Sequence, residues 1–115
     1  MNITYSYNNL GNISLALGDY PKGAEYHEKA LAMRKRIYEG RDHAFIAGSL
    51  ANIAYAHHLM GNHQKAIELH EVNAKRTARG VYDEWVQKSF AALRTLKPGK
   101  YARVERSEGV INEIR

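Results

Sequence analysis

Histidines and their acidic neighbours are the residues of this sequence whose types and spacing could do chemistry. His27-Glu28 and His70-Glu71 stand 43 positions apart, inside two similar stretches, GDYPKGAEYHEKA and GNHQKAIELHEVN. On a helix, His-Glu-x-x-His places two zinc ligands on one face with a catalytic glutamate between them. Here Leu31 and Ala74 occupy the positions four residues after each histidine, so the second ligand is missing both times. His57, His58 and His63 are the other candidate cluster. Adjacent residues on a helix diverge by about 100°, and His63 lies beyond a break at Gly61, so these directions argue against a shared ion. The chain has no cysteine, which excludes thiolate catalysis, Cys-based zinc sites and disulfides. A glycine-rich phosphate loop, a nucleophile elbow and paired carboxylates are also missing. We expect no enzyme, no metal and no cofactor.

The elements that must position these residues are helices. The chain has 115 residues, 44% hydrophobic and 25% charged, which suits a single globular domain over 1–115. Nowhere do 18 apolar residues run together, so no segment is expected to cross a membrane. The first residues, MNITYSYNNL, lack the basic and apolar regions of a secretory signal, and a cytoplasmic protein is the expectation. Ile46, Leu50, Ile53, Ala54 and His57 fall on one helical stripe, with Asp42 as the expected N-cap and Gly61 as the stop. Tyr7, Leu10, Gly11 and Ser14 form the matching stripe before Gly18. Pro21 suits a first helical turn, where its missing N–H is no loss. The spacing predicts six helices, at about 3–17, 20–38, 43–60, 63–79, 83–96 and 100–114, and no strand.

Matching residues 7–36 with 50–79 gives seven identities, among them Asn9/Asn52, Gly18/Gly61, His27/His70 and Arg36/Arg79. A fixed period of two helices marks a repeat whose units bury their apolar faces against one another. The His-Glu pair is therefore one fold unit used twice, with His27 and His70 as packing residues of the second helix in each unit. The stretch NNLGNISLALGDYPKGAEYHEKAL resembles a tetratricopeptide repeat, through Leu10-Gly11, Gly18-Asp19-Tyr20, Gly23 and Ala30. ANIAYAHHLMGNHQKAIELHEVNA keeps Ile53-Ala54, Gly61 and Ala66, with Asn73 where alanine is usual. The long period and the joint GRDHAFIAGSLANIAY are similar to those of kinesin light chains, and LGN…LG is similar to the Pins-type adaptors.

The resemblance implies an all-α helical-hairpin solenoid of about three repeats, at about 3–40, 43–80 and a degenerate 83–115. The last segment reads as an amphipathic cap. It also implies a protein–protein interaction module that holds a peptide in a groove lined by the first helix of each unit. The matching positions are Tyr5, Asn8, Asn12 and Leu15, then Gly48, Ala51, Tyr55 and His58, flanked by Asn9 and Asn52. Asparagine amides both donate and accept, so they suit a peptide backbone or, alternatively, a neighbouring carbonyl or water. The carboxylate-clamp pattern of the family is not met, because the second unit carries no groove lysine.

The net charge is +5. Its cations gather at the ends of the second helices, as Arg34, Lys35 and Arg36 and as Lys75, Arg76 and Arg79. Cations there complement the helix dipole. They also form an expected basic ridge that would attract an acidic partner. Lysine and arginine alternate with glutamate and no RNA-binding signature appears, which disfavours nucleic acid. The second reading of the whole chain is a self-associating module, a homodimer through the edge of the first repeat.

Overall fold

The computed structural model describes residues 3–101. In chain order its elements are α1 (Ile3–Ala16), α2 (Tyr20–Tyr38), α3 (Ala44–Leu59), α4 (His63–Ala74), a 3-10 turn (Lys75–Arg79), α5 (Glu84–Leu96) and α6 (Pro98–Tyr101). The fold is all-α, and no strand occurs among the described residues. The expected last helix begins two residues early, at Pro98. The capping segment read from the sequence lies beyond Tyr101, outside the described residues.

Local signals set most boundaries. Gly18 and Gly61 adopt φ of +86° and +81°, a left-handed conformation that closes α1 and α3 with little strain. Asp19 caps α2 by accepting from the Lys22 amide, and Pro21 stands in the first turn. The expected cap of α3 is corrected. His43, not Asp42, caps it, with Nδ1 accepting from the Phe45 amide at 3.0 Å. Asp42 is drawn away by Arg76 instead.

The fourth helix also ends sooner than the period predicts. The Thr77 hydroxyl donates to the Ala74 carbonyl at 2.9 Å, the last turn tightens to 3-10 geometry, and Gly80 stops it at φ +82°. Up to its closing glycine this second helix of the unit is three residues shorter than its counterpart: Gly80 follows His63 by 17 positions, whereas Gly40 follows Tyr20 by 20. Gly40 matches Gly80 and Ser49 matches Ser89 at a spacing of 40, whereas His27 and His70 are 43 apart.

Each helix packs on its neighbour in sequence, and α3 also packs on α5. Within the first pair, α1 carries Gly11 where α2 presents His27, so helix and imidazole meet without a gap. Leu10, placed on the packing stripe by sequence, is 41% exposed instead, while Tyr7, Gly11 and Ser14 turn inward. A buried apolar cluster of Ile67, Ala74, Val86, Phe90, Leu93 and Tyr101 joins α4, α5 and α6. The third unit, faint as a motif, thus carries much of the core.

Candidate peptide-binding surface

The two histidines of the repeated pair are core residues. His27 is fully buried, and neither ring nitrogen meets a hydrogen-bond partner. Burial, reinforced by the Arg34 charge, pushes its pKa down to about 4. His70 is also buried and lies 3.0 Å from the Ser89 hydroxyl through Nδ1. Burial, with His58 as a lesser influence, brings it to about 4 as well. Both rings are held neutral near pH 7. Their acidic neighbours differ. Glu71 accepts from the Tyr101 hydroxyl at 2.6 Å and pairs with Lys97 and Lys100. On α2 the charge ladder is made by Glu25, with Lys22 and Lys29. The His58 and His63 rings approach to 5.1 Å, closer than their sequence positions suggested. Among the described residues no three histidine or carboxylate side chains gather as a metal site.

Of the groove positions, the structure brings two pairs together. Asn52 Nδ2 donates to Asn8 Oδ1 at 3.1 Å, which ties α1 to α3. That bond uses the acceptor of Asn8 and one of the two donor hydrogens of Asn52, and leaves the other groups of each amide. Tyr55 and His58, both exposed, line a cavity of about 210 Å³ together with His70, Ala92, Thr95 and Leu96. Tyr5 stands apart near the start of α1, its ring edge-on to Phe45 at 6.2 Å. Asn9 and Asn12 are exposed on α1. Two neighbouring positions leave the surface: Leu15 packs over Gly23, and the Trp85 ring covers buried Gly48. Ala92, Thr95 and Leu96 were missed from the sequence. The spacing of 40 that holds after Gly80 sets Thr95 against Tyr55 and is the signal that finds them.

The basic ridge needs correction at two of its six positions. Arg34 is buried, with Nη1 donating to the Phe45 carbonyl at 2.9 Å and to the Ser49 hydroxyl at 2.8 Å. Burial lowers its pKa from the ordinary arginine value. Arg76 is buried too, forked onto Asp42 at 2.6 and 2.8 Å and onto Asp83 at 2.9 and 3.0 Å. Those hydrogen bonds raise its pKa despite burial, and they hold Asp42 below the usual carboxylate range. For Asp83, burial works upward, but bonds from Arg76 and from the Val86 and Trp85 amides outweigh it. Both arginines hold helices together. The exposed cations of the set are Lys35, Arg36, Lys75 and Arg79.

Asn73, where the repeat favours alanine, is fully buried. Its amide nitrogen donates to the Ala47 carbonyl at 3.0 Å and the Ser89 hydroxyl at 3.2 Å, linking α4 to both α3 and α5.

Paired helices with small residues at their crossings, closed by glycines and repeated along the chain, agree with a comparison against family models. The tetratricopeptide repeat model matches residues 2–72. No curated protein sequence matches the chain, and no solved structure matches it. The matched segment covers more than half of the sequence, from α1 into α4, and the chain belongs to the tetratricopeptide repeat family.

Proposed function

We propose that the chain holds an extended, acidic segment of a partner protein along the face shared by α1, α3 and α5. Tetratricopeptide repeats generally mediate protein–protein interactions. The observation that carries the finer reading is the cavity of about 210 Å³ under Tyr55 and His58. It has an apolar bed in Ala92 and Leu96, and polar groups at its lip in the tyrosine hydroxyl, the imidazole and Thr95. An apolar side chain of the peptide would seat there, while free amide groups of Asn8, Asn12 and Asn52 face its backbone. The net charge of +5 supports an acidic partner.

Partners captured on the immobilised chain and identified by mass spectrometry give a segment to synthesise. Its dissociation constant is then measured against the wild type and against Tyr55→Ala with His58→Ala. Losing the cavity walls is expected to weaken binding at least several-fold. An unchanged constant removes these residues from the site.

A second reading rests on a different observation. Ile3, Leu10 and Ile13 are exposed on one side of α1, as is Leu17 just beyond its end, which is 81% accessible. None of the described residues covers this stripe, and pairing it with the same stripe of a second copy gives the homodimer.

A further inference from the structure

A cleft of about 410 Å³ opens on a different face from the one just proposed for a peptide. Nine residues separate Ile46 from Tyr55 on α3, about two and a half turns, so the two point to opposite sides of that helix. Ile46, Leu50 and Val72 supply an apolar floor between α2 and α4, and half of the Val72 side is open. Around it stand Lys35, Arg41, Arg76 and Arg79, against one lining carboxylate, Asp42. Arg76 is compensated by Asp42 and Asp83, and Arg79 reaches Asp42 at 3.4 Å. Lys35 and Arg41 form no ion pair among the described residues.

These two features ask for two complementary ones. The unpaired cations call for carboxylates and the floor for an apolar side chain. An extended peptide alternating acidic and apolar residues supplies both, because successive side chains point to opposite sides. We propose that this cleft is a second docking site, for an acidic-apolar peptide strand. Two of the ridge cations, Lys35 and Arg79, then serve this cleft rather than the surface around Tyr55. Arg41, in the loop before α3, joins them.

A short fluorescein-labelled peptide of alternating glutamate and leucine tests the proposal, with a glutamine-for-glutamate version as control. Titration of the full chain by fluorescence anisotropy is expected to saturate with the acidic peptide and to weaken with added salt. Lys35→Glu with Arg41→Glu should raise the dissociation constant about tenfold or more, as should Val72→Glu, with helicity unchanged by circular dichroism. Amide chemical shifts should move at Arg41, Ile46, Val72 and Arg79. Absence of saturable binding, or equal binding of the glutamine peptide, overturns the idea. Shifts confined to Tyr5, Asn12 and Tyr55 also overturn it, while leaving the groove reading in place.

Discussion

The imidazole of His27 fills the space that a side chain at Gly11 would need. A β-carbon on Gly11 would lie 2.6 Å from the ring, closer than van der Waals contact allows. The ring is buried in an interior that leaves it no room to retreat. Gly11→Ala is therefore expected to destabilise the chain, because overpacking costs about 1–3 kcal/mol while the helix-propensity gain returns roughly 1 kcal/mol at most. Urea unfolding measures the balance. Adding His27→Ala to Gly11→Ala should recover part of the loss, since the smaller side chain vacates the contested space.

Stability should fall on acidification between pH 6.5 and about 4. Both His27 and His70 have folded pKa values near 4, against 6.5 in an unfolded chain. The unfolded state therefore binds more protons in this window, so lowering the pH favours it, and the full contribution is present above pH 6.5. Each pKa unit corresponds to about 1.4 kcal/mol, so each ring contributes on the order of 3 kcal/mol. His27→Leu keeps a similar volume, removes two unsatisfied nitrogens, and should flatten the profile measured by thermal melts across that range.

Arg76 and Arg79 are three residues apart and should behave very differently. Arg76→Ala strands Asp42 and Asp83 beside one another without their shared cation, with an expected cost of about 3–5 kcal/mol. Arg79→Ala removes an exposed, single-point contact with Asp42 and should stay within about 0.5 kcal/mol. Chemical denaturation of the two variants side by side checks this. Equal effects would mean that the fork on Asp42 and Asp83 contributes no stability.

Asn8 and Asn52 should couple. Each single alanine substitution leaves a half-buried amide without its partner, whereas the double substitution removes both. A double-mutant cycle is expected to show a coupling of about 0.5–1 kcal/mol in stability. A coupling near zero would show that water serves the amides as well as they serve each other.

Self-association through α1 predicts a concentration-dependent sedimentation coefficient. Leu10→Glu with Leu17→Glu, both at exposed positions, should abolish it without lowering the thermal midpoint. A wild-type monomer over a hundredfold range of concentration in analytical ultracentrifugation rules out the dimer.

Helices, turns and the first two repeats were legible in the sequence because they depend on local chemistry. Glycines at Gly18 and Gly61 can adopt a left-handed φ, Pro21 fits a first turn, and apolar residues recur at the helical period. Those rules act within a few residues, and the repeat register carries them from one unit to the next. Long-range partners obey no such period. Arg34 and Arg76 look like any other cation at the end of a helix, yet one is bound by Phe45 and Ser49 and the other by two aspartates from separate joints. Asp42 could have capped α3 as readily as His43; only the approach of Arg76, 34 positions away, assigned the roles. The third unit escaped the repeat pattern because the helix before it closes three residues early, at Gly80, so Thr95 and Ala92 reached the cavity out of step with the first spacing. Sequence determines which segments become helices. Which polar and charged side chains end inside, and which remain for a partner, is decided by what each helix meets when it packs, because burying a charge or an amide is tolerable only beside a specific complement.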